Sequence, residues 1–214
     1  KLVAVSKTKP EKNIMEAYDA GQRIFGENKV QELIAKQPEL PSDIQWHMIG
    51  HMQTNKVKYI ASWVSMIHAV DRMKVLRVIN KEAKKNDRKI DCLLQFHIAE
   101  EDTKFGLDYK EAETILTSKE YTEMENVNIC GVMGMATFTD DMEQVRREFN
   151  NLNKIFQRLK ELGIELDIEK EKRRRFKSIT IERKGEEETV YYNDGTESGL
   201  RVITFVTKPT PFDH

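Results

Sequence analysis

The sequence predicts an α/β protein: an incomplete (β/α) barrel of the TIM type, followed by a small antiparallel β tail. Three observations lead to this fold class. Short apolar runs alternate with longer amphipathic runs over residues 1–168, polar residues gather where the apolar runs end, and the alternation stops after Asp167. Apolar strands that alternate with helices are typical of a parallel sheet covered by helices.

Each apolar run is a predicted strand, and each amphipathic run after it is a predicted helix. The first helix follows Pro10 and ends near Gly21, because proline is favoured at helix starts and glycine at helix ends. NKVKYIAS (55–62) is predicted as a short helix, and the longest helix runs from Asp141 to about Gly163. The six predicted strands are LVAVS (2–6), RIFGEN (23–28), DIQWHMIG (43–50), SMIHAV (65–70), KIDCLLQFHIA (89–99) and VNICGVMGMA (127–136).

Periodicity alone does not distinguish a doubly wound open sheet from a barrel, but the ends of the strands favour a barrel. All strand ends of a barrel open into one mouth, so residues far apart in the sequence can reach one ligand. An open sheet usually carries a glycine-rich first turn, whereas the turn here reads SKTKPEK. The polar and special residues at the predicted strand ends are Ser6, Lys7, Glu27, Asn28, His47, Gly50, His68, His97 and the run 133–137.

The character of the sequence changes near Ile168, where we place a domain boundary between residues 1–168 and 169–214. Beyond it, KSITIERKG, EEETVYYNDG and LRVITFVTKP predict three strands joined by turns. Their alternation of apolar and polar residues favours antiparallel pairing with one buried face. The tripeptide Asn193-Asp194-Gly195 is typical of a tight turn.

The composition excludes several classes of protein. Lysine and arginine number 35 against 36 aspartate and glutamate, a net charge of -1, so the chain has no bulk attraction for nucleic acid. No apolar run approaches the roughly 18 residues of a membrane span, and no signal peptide is visible. The two cysteines, Cys92 and Cys130, lie in apolar runs and suit a reducing compartment. We therefore expect a cytoplasmic globular protein.

Lys7 is the leading candidate for a reactive residue. It follows an apolar strand and stands in a lysine-rich turn with Lys9. At the mouth of an apolar barrel, loss of hydration and neighbouring cations favour the neutral, nucleophilic amine of a lysine. Schiff-base formation with an aldehyde cofactor requires such an amine. The alternative is a solvated lysine that simply leaves a strand.

The histidines do not form a zinc-binding pattern. His47 and His51 are four residues apart, but along a strand and its exit that spacing corresponds to about 13 Å. His97 with the acidic residues 100–102 suits either a divalent ion or a solvated loop. The methionine-rich VMGMA (132–136) can fill gaps in a core or form a soft apolar wall for a flat ring.

Six strings stand in a fixed order along the chain: LVAVSKTKP, RIFGENKVQE, WHMIGHMQTNK, IHAVDR, EEDTKFG and GVMGMA. With these intervals they closely resemble the pyridoxal phosphate homeostasis protein family, which is similar to the N-terminal barrel domain of alanine racemase. The resemblance extends from Lys1 to about Asp167. It implies a fold type III barrel that binds pyridoxal 5'-phosphate and buffers or delivers it.

The resemblance also implies a set of cofactor-binding residues. The lysine of the SKTKP string, Lys7, would form the Schiff base with the cofactor. Alanine racemase has a second domain that supplies another catalytic base, and the family lacks it, so no catalytic residue, turnover or metal is implied. The other residues implied to line the cofactor cavity are Asn28, His47, Ile49, His68 and Met133.

The sequence departs from the family after Asp167. Family members carry a serine-glycine-methionine string and an arginine-isoleucine-glycine string that cradle the cofactor phosphate, and EKEKRRRFKSITIERKG stands in their place here. Losing about three charge-assisted hydrogen bonds weakens binding by on the order of a thousandfold or more. We therefore expect weak cofactor binding that barely depends on residues 170–214.

Two other functions stay open from the sequence. One is a racemase or lyase that acts on small amino acids through the same lysine, although no tyrosine or cysteine is visibly placed as a second base. The other is an interaction protein built on a degenerate barrel. A monomer or a weak homodimer is expected.

Overall fold

Parallel strands form the main sheet of the protein. The computed structural model describes residues 2–100 and 105–162, and in the tail the backbone of residues 181–184, 187–190 and 203–204. The first six strands lie side by side in chain order, and their five successive pairs are all parallel, which confirms the predicted parallel sheet. These strands are β1 (Ala4–Val5), β2 (Ile24–Glu27), β3 (Gln45–Met48), β4 (Met66–Val70), β5 (Ile90–Phe96) and β6 (Val127–Gly134).

Helices connect the strands as the alternation predicts. Gly21 has a φ of 99° just after the first helix, a conformation that glycine adopts without strain. Asp141 caps the longest helix by accepting hydrogen bonds from the backbone N–H groups of Glu143 and Gln144. The helices are α1 (Glu11–Asp19), α2 (Val30–Lys36), α3 (Met73–Lys85), α4 (Tyr109–Thr117), α5 (Lys119–Thr122) and α6 (Met142–Glu161).

The segment predicted as a short helix over 55–62 is helical over Thr54–Tyr59, where it forms a 3-10 helix. A tighter turn of this kind is typical of short connections. It places Val57 and Ile60 in the core, where both are fully buried.

The sheet carries apolar side chains on both faces. On one face the helices pack a large core, to which α6 contributes Leu152, Phe156 and Leu159. The other face carries a second, smaller cluster of buried residues, Ala69, Leu93 and Met133, with Met66, Cys130 and Met135 packed against it. Successive residues of a strand point to opposite faces, so a strand with two apolar faces is typical of a barrel wall.

In the tail, β7 (Ile181–Lys184) and β8 (Glu187–Val190) pair antiparallel, with Ile181 opposite Val190, as the sequence predicts. The third predicted strand differs, because β9 (Ile203–Thr204) pairs in parallel with β6. An open strand edge is a site for further pairing, and β9 occupies that of β6. The predicted turn at 193–195 and the predicted boundary near Ile168 lie outside the described residues.

None of the helices in the described ranges is both long and apolar enough to cross a membrane.

Candidate functional site

The strand register brings four of the predicted site residues to one end of the sheet. The last pairs along three neighbouring ladders are Val5 with Gly26, Glu27 with Met48, and Met48 with Ile67. One or two residues further on, Lys7, Asn28, Ile49 and His68 follow at the same level across β1 to β4. Lys7 and Asn28 are half-buried, whereas Ile49 and His68 are buried.

His47 lies on β3, two residues before Ile49, and its side chain contacts that of His68. The Nδ1 atom of His47 is 2.9 Å from the Nε2 atom of His68, and the two buried rings meet edge to face. One of these nitrogens donates and the other accepts, so the contact contains one proton. Burial, and next the nearby His47, hold the pKa of His68 well below its ordinary value of 6.5.

Met133 lies further along the same end of the sheet, on β6. It packs with Ala69 and Leu93 in the smaller buried cluster described above, and its side chain is 1% exposed. Its partner in the ladder is Gln95 on β5. Met133 therefore belongs to an apolar cluster beside this row of site residues, two strands away from His68.

The turn that carries Lys7 has an unusual backbone. The N–H of Lys9 donates to the carbonyl oxygen of Ser6 at 3.1 Å, which closes a four-residue turn. Inside it, Thr8 has a φ of 61°, a left-handed conformation that is strained for a β-branched residue. Within residues 2–100 and 105–162, the amine of Lys7 makes no hydrogen bond or ion pair.

A cluster of buried charges lies beneath this turn, between β2 and α2. The Nζ atom of Lys36 donates to the Ser6 carbonyl at 2.8 Å, to Glu27 Oε1 at 2.8 Å and to Glu32 Oε1 at 2.6 Å. The hydroxyl of Ser6 donates to the same Glu27 oxygen at 2.6 Å, and the N–H of Thr8 donates to Glu32 Oε1 at 2.7 Å. We call Ser6, Glu27, Glu32 and Lys36 the Lys36 cluster.

Burial and hydrogen bonding act in opposite directions on the charges of this cluster. Burial raises the pKa of the Glu27 carboxyl, against the opposing effect of the bonds from Lys36 and Ser6. Burial alone would lower the pKa of the Lys36 ammonium, but its bonds to Glu27 and Glu32 outweigh it and raise that pKa. At Glu32 burial is again opposed, and the bonds from Lys36 and Thr8 lower the pKa. Lys36 is therefore held as a cation.

A polar cleft of about 280 Å³ opens beside Asn28. Gly50 packs against the backbone of Asn28 so closely that a Cβ atom there would lie 2.3 Å from the Asn28 carbonyl oxygen. The cleft is lined by two lysines, three carboxamide side chains, one histidine and two apolar residues. These lining residues are Asn28, Lys29, Val30, Gln31, Met48, His51, Gln53 and Lys56. Such a lining suits a ligand that carries negative charge or accepts hydrogen bonds.

A buried carboxylate fastens the loops that follow β5 and β6. Glu148 on α6 accepts hydrogen bonds from the Thr137 N–H and hydroxyl, both at 2.6 Å. It also accepts from the Glu100 N–H at 3.0 Å and from Gln144 Nε2 at 3.2 Å. Burial alone would raise the pKa of Glu148, but these bonds outweigh it and lower that pKa. Both loops leave the same end of the sheet as the site residues.

The histidines considered as metal ligands are used differently. His47 contacts His68, whereas the Nδ1 atom of His51 lies 3.5 Å from Asp71 Oδ2 and its ring contacts Phe105. Among the described residues, no group of three or more histidine, cysteine, aspartate or glutamate side chains is arranged to hold a metal ion.

Comparison with known proteins shows the family to which the chain belongs. The sequence profile of the family described as alanine racemase, N-terminal domain, matches residues 1–169. The pyridoxal phosphate homeostasis protein of Aquifex aeolicus is 39% identical over 157 residues, which cover 72% of this chain and 68% of that protein. The chain belongs to the pyridoxal phosphate homeostasis protein family.

Other members of the family show similar identity. The pyridoxal phosphate homeostasis protein of Pasteurella multocida is 34% identical over 166 residues, which cover 75% of this chain and 70% of that protein. The structure of PipY from Synechococcus elongatus, described as having pyridoxal phosphate bound, is 32% identical with a TM-score of 0.68. That match covers 76% of this chain and 75% of PipY. Alanine racemase of Clostridium difficile has a TM-score of 0.65 at 13% identity, a similarity of fold alone.

The sequence analysis did not name several buried polar residues that lie at this end of the sheet as site residues. Ser6, Glu27 and Thr137 stood out only as polar residues at strand ends. Lys36 and Glu148 lie on helices. A signal was present at Lys36, which stands three residues after Leu33 on the buried face of α2. A charged residue at such a position needs buried partners.

Proposed function

We propose that this chain binds pyridoxal 5'-phosphate at the end of the sheet that carries Lys7 and serves in cofactor homeostasis, holding the cofactor without turnover. The names of its relatives and the PipY structure with pyridoxal phosphate support this. The observation that carries the proposal is the row of Lys7, Asn28, Ile49 and His68 at one level of the sheet.

The residues in this row fit the chemistry of the cofactor. Pyridoxal phosphate supplies an aldehyde, which condenses with a primary amine and releases one water molecule. Lys7 offers such an amine, because it is half-buried and makes no hydrogen bond or ion pair within the described residues. Lys36, in contrast, uses all three of its N–H groups in the cluster and stays a cation.

The other residues of the site have distinct proposed roles. Ile49 and Met133 are buried apolar side chains that suit the face of a flat ring. Asn28 offers a carboxamide that can donate and accept hydrogen bonds. The contact with His47 fixes the ring of His68, so that His68 presents one orientation to a ligand.

The proposed binding is weak, because the strings that cradle the phosphate in the family are missing from the sequence after Asp167. The cleft beside Asn28 contributes Lys29 and Lys56. These lysines attract an anionic ligand toward the site but offer no backbone cradle for a phosphate.

We also propose a cytoplasmic location and a small-molecule ligand. A cytoplasmic location is supported by Cys92 and Cys130, which are thiols and not a disulfide. The net charge of -1 favours a small-molecule ligand over nucleic acid. We propose a monomer or a weak homodimer.

A titration with pyridoxal phosphate, followed by borohydride reduction and peptide mapping, tests the proposal. We expect an absorbance band near the edge of the visible range and the added mass on Lys7. Lys7→Arg is expected to abolish both, whereas the matched variant Lys9→Arg retains them. Added mass on Lys9, Lys29 or Lys56 with Lys7 unmodified would show that the assignment is wrong. Turnover of amino acids by the loaded protein would favour a racemase or lyase.

A further inference from the structure

We infer that Lys36 is a positioning residue for Lys7: its buried ammonium fixes the backbone on both sides of Lys7, through Ser6 directly and through Glu32 to Thr8. This inference rests on the proposed function, since the direction of the Lys7 side chain matters only if Lys7 carries the cofactor. It concerns a residue whose ammonium donates to Ser6, Glu27 and Glu32 and not to the Lys7 amine.

The hydrogen bonds of Lys36 leave its side chain no freedom. An ammonium group has three N–H donors. Those of Lys36 have three acceptors: the Ser6 carbonyl and Glu27 Oε1, each at 2.8 Å, and Glu32 Oε1 at 2.6 Å. Lys36 is 5% exposed, so water does not replace these partners. The ammonium therefore acts as a fixed point beneath the turn.

Two of these bonds lead to the residues next to Lys7. Ser6 precedes Lys7, and its carbonyl oxygen accepts from Lys36 as well as from the Lys9 N–H at 3.1 Å. Thr8 follows Lys7, and its N–H donates at 2.7 Å to the Glu32 oxygen that also accepts from Lys36. One ammonium thus determines the position of both peptide groups that flank the Lys7 Cα.

The conformation of Thr8 indicates why such support is needed. Its φ of 61° is unfavourable for a β-branched residue and persists only where the surroundings impose it. The bond from the Thr8 N–H to Glu32 is the contact that imposes it. Without the Lys36 charge, Glu32 and Glu27 would repel each other, and the carboxylate that holds Thr8 would move toward solvent.

Lys36 could instead have a purely structural role, in which its hydrogen bonds hold β1, β2 and α2 together without influencing Lys7. The structural role and the positioning role predict different effects of removing the ammonium group. If Lys36 only stabilises the fold, its removal lowers the melting temperature and leaves cofactor attachment unchanged in the folded fraction. If Lys36 positions Lys7, its removal changes attachment at a temperature where the variant is fully folded.

The experiment compares the full chain with Lys36→Met and with Lys85→Met. The control removes the ammonium of an exposed lysine that pairs with Glu82 on α3. Thermal unfolding gives the temperature at which all variants are folded. At that temperature, hydrogen exchange at the Thr8 amide is measured without cofactor, and the growth of the absorbance band with pyridoxal phosphate is followed in time.

We expect Lys36→Met to speed exchange at Thr8 and to slow covalent attachment at Lys7 by about ten- to a hundredfold, because small misplacements of a reacting group have effects of this size. Lys85→Met is expected to match the unsubstituted chain in both measurements. Adding Thr8→Gly to Lys36→Met should restore part of the rate, because glycine adopts a φ of 61° without strain.

Glu32→Ala provides a second variant in case Lys36→Met does not fold. It removes the acceptor of the Thr8 N–H and leaves the pair of Lys36 with Glu27 in place, and it should slow attachment in the same direction. Unchanged exchange at Thr8 and an unchanged rate in the folded variants would overturn the inference alone. Absence of attachment in the unsubstituted chain would reject the proposed function, and the inference with it.

Discussion

The Nδ1 atom of His47 lies 2.9 Å from the Nε2 atom of His68, across the neighbouring strands β3 and β4. Both rings are buried. A second proton on this pair would place a charge inside the sheet, where burial and next the nearby His47 hold the pKa of His68 well below 6.5. The pair is therefore a source of pH dependence in the stability of the protein.

We predict that His68 makes the free energy of unfolding fall as the pH falls below 6.5, its ordinary pKa. The folded chain holds the pKa of His68 well below that value, so the unfolded chain binds a proton that the folded chain does not. The expected slope from this residue is up to about 1.4 kcal/mol per pH unit. His68→Gln should flatten the slope between pH 6.5 and the depressed pKa.

Denaturant titrations at several pH values measure this slope. His51→Gln is the matched control, because it changes an exposed histidine and should keep the slope of the unsubstituted chain. An equal slope in His68→Gln and the unsubstituted chain would contradict the prediction.

Glu148→Ala should destabilise the protein and loosen the loops after β5 and β6. The carboxylate accepts four hydrogen bonds, two of them from Thr137. Hydrogen bonds to charged groups contribute about 1.5–3 kcal/mol, and we expect a loss in this range. The folded pKa of Glu148 is lowered, so its contribution is present above pH 4.5 and disappears as the pH falls through the folded pKa.

Chemical unfolding of Glu148→Ala and Glu143→Ala at neutral and acidic pH tests this prediction. Glu143 is exposed and pairs with Arg146, and such surface pairs contribute about 0–1 kcal/mol. A loss in Glu148→Ala no larger than that in Glu143→Ala would refute the role of the buried carboxylate.

Gly50→Ala should disturb Asn28 and weaken cofactor binding. The new Cβ would lie 2.3 Å from the Asn28 carbonyl oxygen, so the backbone has to move. Crowding of this kind costs about 1–3 kcal/mol. The measurements are the melting temperature and the affinity for pyridoxal phosphate.

Gly21→Ala serves as the control for Gly50→Ala. Gly21 has a φ of 99° and nothing within 4 Å of the new Cβ, so alanine there is strained but clashes with nothing. It should lower the melting temperature and leave the affinity unchanged. Equal affinities in both variants would show that Gly50 does not shape the site.

Deletion of residues 170–214 should leave cofactor affinity nearly unchanged and reduce solubility. The site residues lie before the deletion, whereas β9 pairs with β6 at Met133 and Gly134. Removing β9 exposes the N–H and carbonyl groups of that edge, which promotes association between chains. Light scattering and a cofactor titration measure the two effects. Tight binding by the full chain that is lost on deletion would mean that the tail holds the phosphate.

Local patterns in the sequence were sufficient to predict the order of the first six strands and the end of the sheet at which most of the predicted site residues gather. Alternation of apolar and amphipathic runs is a property of neighbouring residues, and parallel pairing of consecutive strands follows from it. The placement of Lys7 and Asn28 near the ends of β1 and β2 follows in turn, because Asn28 comes directly after β2 and Lys7 stands two residues after the end of β1.

Contacts between distant residues were decided by the tertiary structure. Lys36 is a buried cation because α2 packs it over β2 against Glu27, and the N–H of Thr8, a residue with a φ of 61°, donates to Glu32 on the same helix. The contact of His47 with His68 likewise requires the register of β3 against β4. Hydrogen bonds of this kind depend on distances of a few tenths of an ångström, which the order of residues along the chain does not encode.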